Sequence, residues 1–186
     1  LIVSALSTFL IYINSSAFRE NAKNIITAQI ENSFGNKIEI GAIEYISFRT
    51  IRLNDFKIFE EDATEKESIL FQARNVKAEF TLLLPILRWQ GWQLSIKNIT
   101  FDNATTTFTR LLNGDFDIVE KLHINPELLQ ENIQIGRIYF QDSKLTYHDE
   151  LIYNYKSDYL TTKAEKINGY FDLSQLPKIN IEFAGY

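Results

Sequence analysis

The sequence predicts a mostly-β fold with some α: a strongly coiled, bulged antiparallel sheet with one amphipathic helix, one short helix and an N-terminal transmembrane-helix remnant. Three observations predict it. The rhythm apolar-x-apolar-x-x-apolar-x-apolar occurs five times, helical spacing is confined to two stretches, and the run Leu1–Ile13 carries no charge.

The rhythm fits Ile38-x-Ile40-x-x-Ile43-x-Tyr45 and Ile51-x-Leu53-x-x-Phe56-x-Ile58. It fits Phe71-x-Ala73-x-x-Val76-x-Ala78, Leu94-x-Ile96-x-x-Ile99-x-Phe101 and Ile133-x-Ile135-x-x-Ile138-x-Phe140. Side chains alternate faces along a strand, so skipping one residue swaps the faces unless a β-bulge absorbs it. With a bulge, all four apolar side chains stay on one side and the sheet coils more strongly. The competing reading is a tight bend between two short strands; about a dozen strands are expected for one long helix and one short one. The copies are unevenly spaced, which excludes a solenoid of fixed period.

Composition narrows the function classes. A chain of 186 residues has room for one domain with a sizeable core. A net charge of −5 and the lack of any Lys/Arg run argue against a nucleic-acid partner. The absence of cysteine excludes thiol catalysis, cysteine zinc sites and disulfides. The start inside an apolar run, without Met, reads as a piece of something longer.

In chain order, residues 1–14 read as a truncated membrane anchor with Leu1, Ile2, Val3, Leu6, Phe9, Leu10, Ile11 and Ile13 as its apolar positions. A spanning helix needs about 20 such residues, so upstream residues would have to complete it. A signal-peptide core and a buried helix are the alternatives. Residues 15–35 read as an amphipathic helix with Ser16 as N-cap and Gly35 as the left-handed stop. Its apolar positions are Phe18, Ala22, Ile25, Ile26, Ile30 and Phe34, destined for the core or for a membrane surface.

Residues 36–186 read as one β region. Glu60–Ser68 is a charged loop, without the spaced oxygens and glycine of a calcium site. Leu83–Leu87, with Pro85 in its first turn, is the short helix. Asn113-Gly114 signals a hairpin whose far strand is Phe116-x-Ile118. Leu122–Asn132 is a connector, and strands resume at Ile133–Tyr147, Asp158–Asp172 and Lys178–Phe183, the last two joined by the turn Leu176-Pro177.

Catalytic chemistry is sparse. His148-Asp149-Glu150 is the one tempting trio, yet no nucleophile or metal motif accompanies it, and a polar strand end accounts for it. No phosphate loop or dinucleotide fingerprint is present. The reading is of a non-enzyme that needs neither cofactor nor metal.

The order of these pieces resembles the N-terminal end of the TamB and AsmA-like envelope proteins. The carriers are the anchor remnant, the helix ending at Gly35, Ile38–Ile43, Ile51–Ile58, the charged loop, Val76–Phe80, the helix Leu83–Leu87, Leu94–Phe101 and Thr109–Gly114. The resemblance covers nearly the whole chain through order and spacing, and no single signature carries it. It implies a β-taco-like groove whose apolar wall conducts phospholipid acyl chains between inner and outer membranes. It also implies single-pass attachment to the inner membrane through the N-terminal helix, the β region in the periplasm, and an outer-membrane β-barrel partner at the far end of the full-length protein. The expected groove wall, or seat for the N-terminal helix, is Ile38, Ile40, Ile43, Ile51, Leu53, Phe56, Ile58, Phe71, Val76, Phe80, Leu94, Ile96, Ile99 and Phe101. The alternative is an envelope scaffold that assists assembly of outer-membrane β-barrels.

Overall fold

A strand with a skipped residue keeps its apolar side chains on one face if the backbone bends locally into the left-handed region. That happens repeatedly here. The structure, a computed structural model, describes residues 11–12, 15–47, 49–60, 68–80, 94–121, 133–152, 160–175 and 178–185. Helix α1 (Ser16–Phe34) leads into β1 (Ile38–Ile46), β2 (Thr50–Phe59), β3 (Ile69–Phe80) and β4 (Leu94–Arg110). A short α2 (Asp117–Lys121) precedes β5 (Ile133–Asp149), β6 (Leu160–Gln175) and β7 (Lys178–Ala184). The strands form one seven-stranded sheet in sequence order. There are far fewer strands than a dozen because each skipped rhythm is one continuous strand.

The bends fall on a line. Between Ile40↔Phe56 and Ala42↔Asn54 the pairing leaves Gly41 opposite Asp55. The next strands leave Arg74 opposite Asp55, then Asn103 opposite Arg74. On β5 and β6 the line continues at Asp142 and Lys166, where pairing jumps around Ser143. Asp55, Asn103, Asp142 and Lys166 have φ of 51°, 52°, 46° and 51°. Asp and Asn tolerate this region because short polar side chains bond to nearby backbone. Since β1 to β4 carry the extra residue at one level, their ladders resume in register beyond it. Gly41 is required at its place: a Cβ there would lie 2.9 Å from Asp55 Cβ and 3.2 Å from the Asn54 carbonyl.

The sheet is antiparallel except at its centre, which corrects the all-antiparallel expectation. Strands β4 and β5 run parallel from Leu94↔Ile133 to Arg110↔Asp149. A parallel pair needs a crossover of a dozen residues or more. Residues 111–132 supply it. The turn at Asn113-Gly114 does form, closed by Leu111 N–H on the Asp115 carbonyl at 2.8 Å. Its far side is not a strand. One bridge, Arg110↔Phe116, is followed at once by α2. Asp117 holds that turn by accepting from Thr109 N–H at 2.6 Å. Asn36, 1% exposed, ties the same end together by donating to the carbonyls of Phe59 at 3.1 Å and Lys121 at 2.8 Å.

Helix α1 is capped by Ser15 rather than Ser16, with Ser15 Oγ accepting from Phe18 N–H at 3.3 Å. Gly35, at φ 72°, closes the other end as expected. Phe18, Ala22, Ile26 and Ile30 recur every fourth residue and pack on the core. Ile25, expected on that face, is instead 47% exposed. Two hydrogen bonds fix the helix on β1: Arg19 to the Glu44 carbonyl at 3.3 Å, and Ile38 N–H to Glu31 Oε1 at 2.9 Å. The expected helix at Leu83–Leu87, the turn Leu176-Pro177, most of the loop Glu60–Ser68 and the connector Leu122–Asn132 lie outside the described residues.

Candidate functional site

The apolar face of the sheet is an extended feature to which the bends, register and composition all contribute. Its residues were anticipated unevenly. On β1 to β3, Ile38, Ile40, Ile43, Ile51, Leu53, Phe56, Ile58, Val76 and Phe80 are all buried, and with Ala73 and Ala104 they form one core cluster. Phe71, Ile96, Ile99 and Phe101 are partly buried at its margin, beside the four helix residues. Leu94 opens β4 opposite Ile133, and its side chain lies outside the described set. The fourteen expected residues therefore divide in two. Those on β1 to β3 mostly form the core on which the helix packs, and those on β4 lie at its margin, where no described helix covers them.

The apolar face continues across β5, β6 and β7, with no described helix over it, and this part was largely missed. A row of phenylalanines crosses the sheet from β2 to β7. Phe56, Phe71 and Phe101 meet with ring centroids 6.2, 6.4 and 5.0 Å apart. Phe101 lies 5.5 Å from Phe140, directly opposite in the parallel pair. Phe140 lies 5.9 Å from Phe171 and 6.0 Å from Phe183, and these two are 5.0 Å apart. Phe140 and Phe183 sit on strands that are not neighbours. They meet because Gly169 stands between them, paired with both. A Cβ on Gly169 would lie 2.3 Å from Phe183 Cδ1, so the missing side chain makes the room.

Exposure rises along this row. Phe56 is 6% exposed beside the α1 seat, Phe101 and Phe140 are half-buried, and Phe183 and Ile181 are 42% and 62% exposed. A signal for the missed part was present in the sequence. Ile99-x-Phe101-x-x-Ala104 repeats the rhythm within β4, and Thr162-x-Ala164-x-x-Ile167-x-Gly169 repeats it in β6. Small residues at the apolar positions disguised both.

The opposite face is polar and internally paired. Lys57 reaches Glu39 at 2.8 Å, Asn75 donates to Asp102 at 3.1 Å, Lys144 reaches Glu165 at 3.2 Å, and Arg137 reaches Asp172 at 2.9 Å. Hydrogen bonds from Lys77 and Asn98 hold the Glu79 carboxyl below its ordinary range. Asp172 is driven down to about 2, first by the Ser174 hydroxyl and backbone N–H and then by Arg137. The bends also dent this face into a cleft of about 290 Å³, lined by Asp55, Lys57, Arg74, Asn103, Asp142 and Lys144 among others.

The trio His148-Asp149-Glu150 resolves into structural contacts. His148 Nδ1 lies 2.8 Å from Thr161 Oγ1. Buried Asp149 accepts from the Tyr147 hydroxyl at 2.7 Å and Leu151 N–H at 3.0 Å, with Arg110 at 3.7 Å. The Tyr147 hydrogen bond keeps the Asp149 carboxyl low. Neighbours on a strand face opposite sides, so His148 and Asp149 do not form a pair. No grouping of metal-ligating side chains occurs among the described residues.

Of the expected anchor, Leu1, Ile2, Val3, Leu6, Phe9, Leu10 and Ile13 lie outside the described residues, and Ile11 is 73% exposed in a helical turn. Among the described residues no helix is long and apolar enough to cross a membrane. No protein-family model matches the chain, and no curated protein matches it significantly.

Proposed function

We propose that the chain is a non-enzymatic lipid-transfer conduit, with phospholipid acyl chains lying on the apolar face and headgroups left in water. The observation that carries this reading is the phenylalanine row, which leaves the core beside α1 and continues, with no described helix over it, as far as β7. An apolar surface of that continuity marks an interaction site. Each methylene moved from water onto such a face gains about 0.8 kcal/mol. A chain leaving a bilayer loses a similar amount, so exchange is near neutral, which favours passage over storage. In this reading the run Leu1–Ile13 belongs to a single-pass inner-membrane anchor. The sheet then stands in the periplasm, and the far end of the longer protein meets an outer-membrane β-barrel. That assignment, like the kinship with TamB and AsmA-like proteins, rests on the order of sequence elements.

A second reading, a scaffold for assembly of outer-membrane β-barrels, draws on one observation. The outer edge of β7 has no strand partner among the described residues and displays Ile181 and Phe183. Open edges pair with incoming strands.

One experiment separates the two. The chain is prepared without detergent, and bound lipid is measured by mass spectrometry beside Ile181→Asp. Because Ile181 is 62% exposed, the substitution leaves the fold intact. The conduit requires phospholipid in the parent and its loss in Ile181→Asp. A folded, lipid-free parent that still captures a β-strand peptide overturns the conduit in favour of the scaffold.

A further inference from the structure

Helix α1 packs on the core, and it also bonds backbone groups that β1 turns away from the sheet. Strand β1 stands at one end of the strand order, with no strand beyond it among the described residues. An edge strand presents unpaired N–H and C=O groups, which template the addition of another chain.

Two such groups on β1 are taken by α1. The Lys37 carbonyl accepts from Phe59 N–H at 3.0 Å, so Lys37 points into β2 and the next residue, Ile38, turns its N–H the other way. That N–H donates to Glu31 Oε1 at 2.9 Å. Further along β1, the pairs Ile43↔Leu53 and Tyr45↔Arg52 leave Glu44 without an opposite residue. The Glu44 carbonyl accepts from Arg19 Nη1 at 3.3 Å. Arg19 Nε is buried without a partner, a desolvation cost that the side chain would avoid in water.

The spans of helix and strand match. Arg19 to Glu31 covers roughly 18 Å of helix at about 1.5 Å per residue. Ile38 to Glu44 covers roughly 20 Å of strand at about 3.3 Å per residue. The helix therefore runs antiparallel to β1, tied to it at both ends, while Phe18, Ala22, Ile26 and Ile30 hold it on the core.

We infer that α1 is an edge guard: it closes β1 to strand addition by a second copy of this chain. The copy is the partner kept out because β7 suits β1. It has no outer strand partner among the described residues, and its exposed Ile181 and Phe183 would extend the apolar set Ile38, Ile40 and Ile43. With β7 alone open, copies join at most in pairs. With both edges open, β1 of one copy meets β7 of the next, a heterologous contact that does not close and keeps growing. The guard is independent of what lies on the apolar face, so it stands or falls apart from the conduit.

The test is sedimentation velocity over a wide concentration range, with circular dichroism to check β content. The parent is expected to remain a monomer or dimer. Arg19→Ala combined with Glu31→Ala is expected to form species beyond the dimer, at least doubling the weight-average mass. The Ile38 and Ile40 amides should gain protection from hydrogen exchange as those species form. Glu31→Gln keeps a carbonyl oxygen for Ile38 N–H and is expected to sediment like the parent. Ile181→Asp added to the double variant charges β7 and is expected to return it to a dimer at most. A folded double variant of the parent's size overturns the guard, as do higher species in the parent or in Glu31→Gln. Should the double variant not fold, Glu31→Ala alone decides: it frees one end of β1 and must associate more than Glu31→Gln, and equal sizes overturn the inference.

Discussion

Lys166 gives the sharpest check on how the sheet is bent. It holds φ of 51° with a long side chain that has no short polar group to stabilise the left-handed region. It is exposed, and its carbonyl accepts from Asn168 Nδ2 at 2.9 Å, a bond that any residue at this position retains. A left-handed conformation costs a non-glycine residue about 1–2 kcal/mol. Glycine avoids that strain but gives up about 0.5–1 kcal/mol in unfolded-state entropy. Lys166→Gly should therefore stabilise by about 0.5–1 kcal/mol. With a urea slope of about 2 kcal/mol per molar, the unfolding midpoint rises by about 0.3–0.5 M. Lys166→Val, β-branched where φ is positive, should destabilise by about 2 kcal/mol. The assay is urea denaturation followed by circular dichroism. A lower midpoint for Lys166→Gly with an unchanged one for Lys166→Val would refute the left-handed bend and the continuity of β6.

Other expectations follow from the same geometry. Gly169→Ala places a methyl 2.2 Å from the Glu182 carbonyl and 2.3 Å from Phe183 Cδ1. Overpacking of that kind costs about 1–3 kcal/mol, and hydrogen exchange should show β7 losing protection first. Asp172, held at about 2 against an ordinary 3.8, contributes stability in full above the ordinary value and loses it as pH falls towards about 2. Asp172→Asn should flatten that part of an acid titration of thermal stability and leave the neutral region as the place where its whole deficit appears. Ser15→Ala should cost about 1 kcal/mol in thermal melts while Ser16→Ala costs little, because Ser15 supplies the cap. Equal losses would return the cap to Ser16.

Much of the fold was legible because the decisive signals are local. Alternation fixes which side of a strand a residue faces, and the skips Gly41-Ala42, Asn54-Asp55 and Arg74-Asn75 announced bends that keep each apolar set together. Gly35 likewise ended the helix where expected. Ser16 was mistaken for the cap because Ser15 and Ser16 are chemically alike, and only backbone angle separates them: Ser15 has the extended ψ of 150°. The strand expected at Phe116-x-Ile118 failed for a different reason. Asp117 accepts from Thr109 N–H and draws that segment into a helical turn.

The sequence by itself determined that the chain is mostly β, that its strands bend, and that one face is apolar. Tertiary structure decided the rest. Parallel and antiparallel ladders satisfy the same alternation, so nothing local required β4 and β5 to run side by side and place Phe101 directly opposite Phe140. Nor does periodicity distinguish an apolar residue under a helix from one left open, since both gain by leaving water. Buried Phe56 packs on Phe71 and Phe101 within the core beside α1 while Phe183 stands at the last strand, a difference set by contacts between residues distant in the chain.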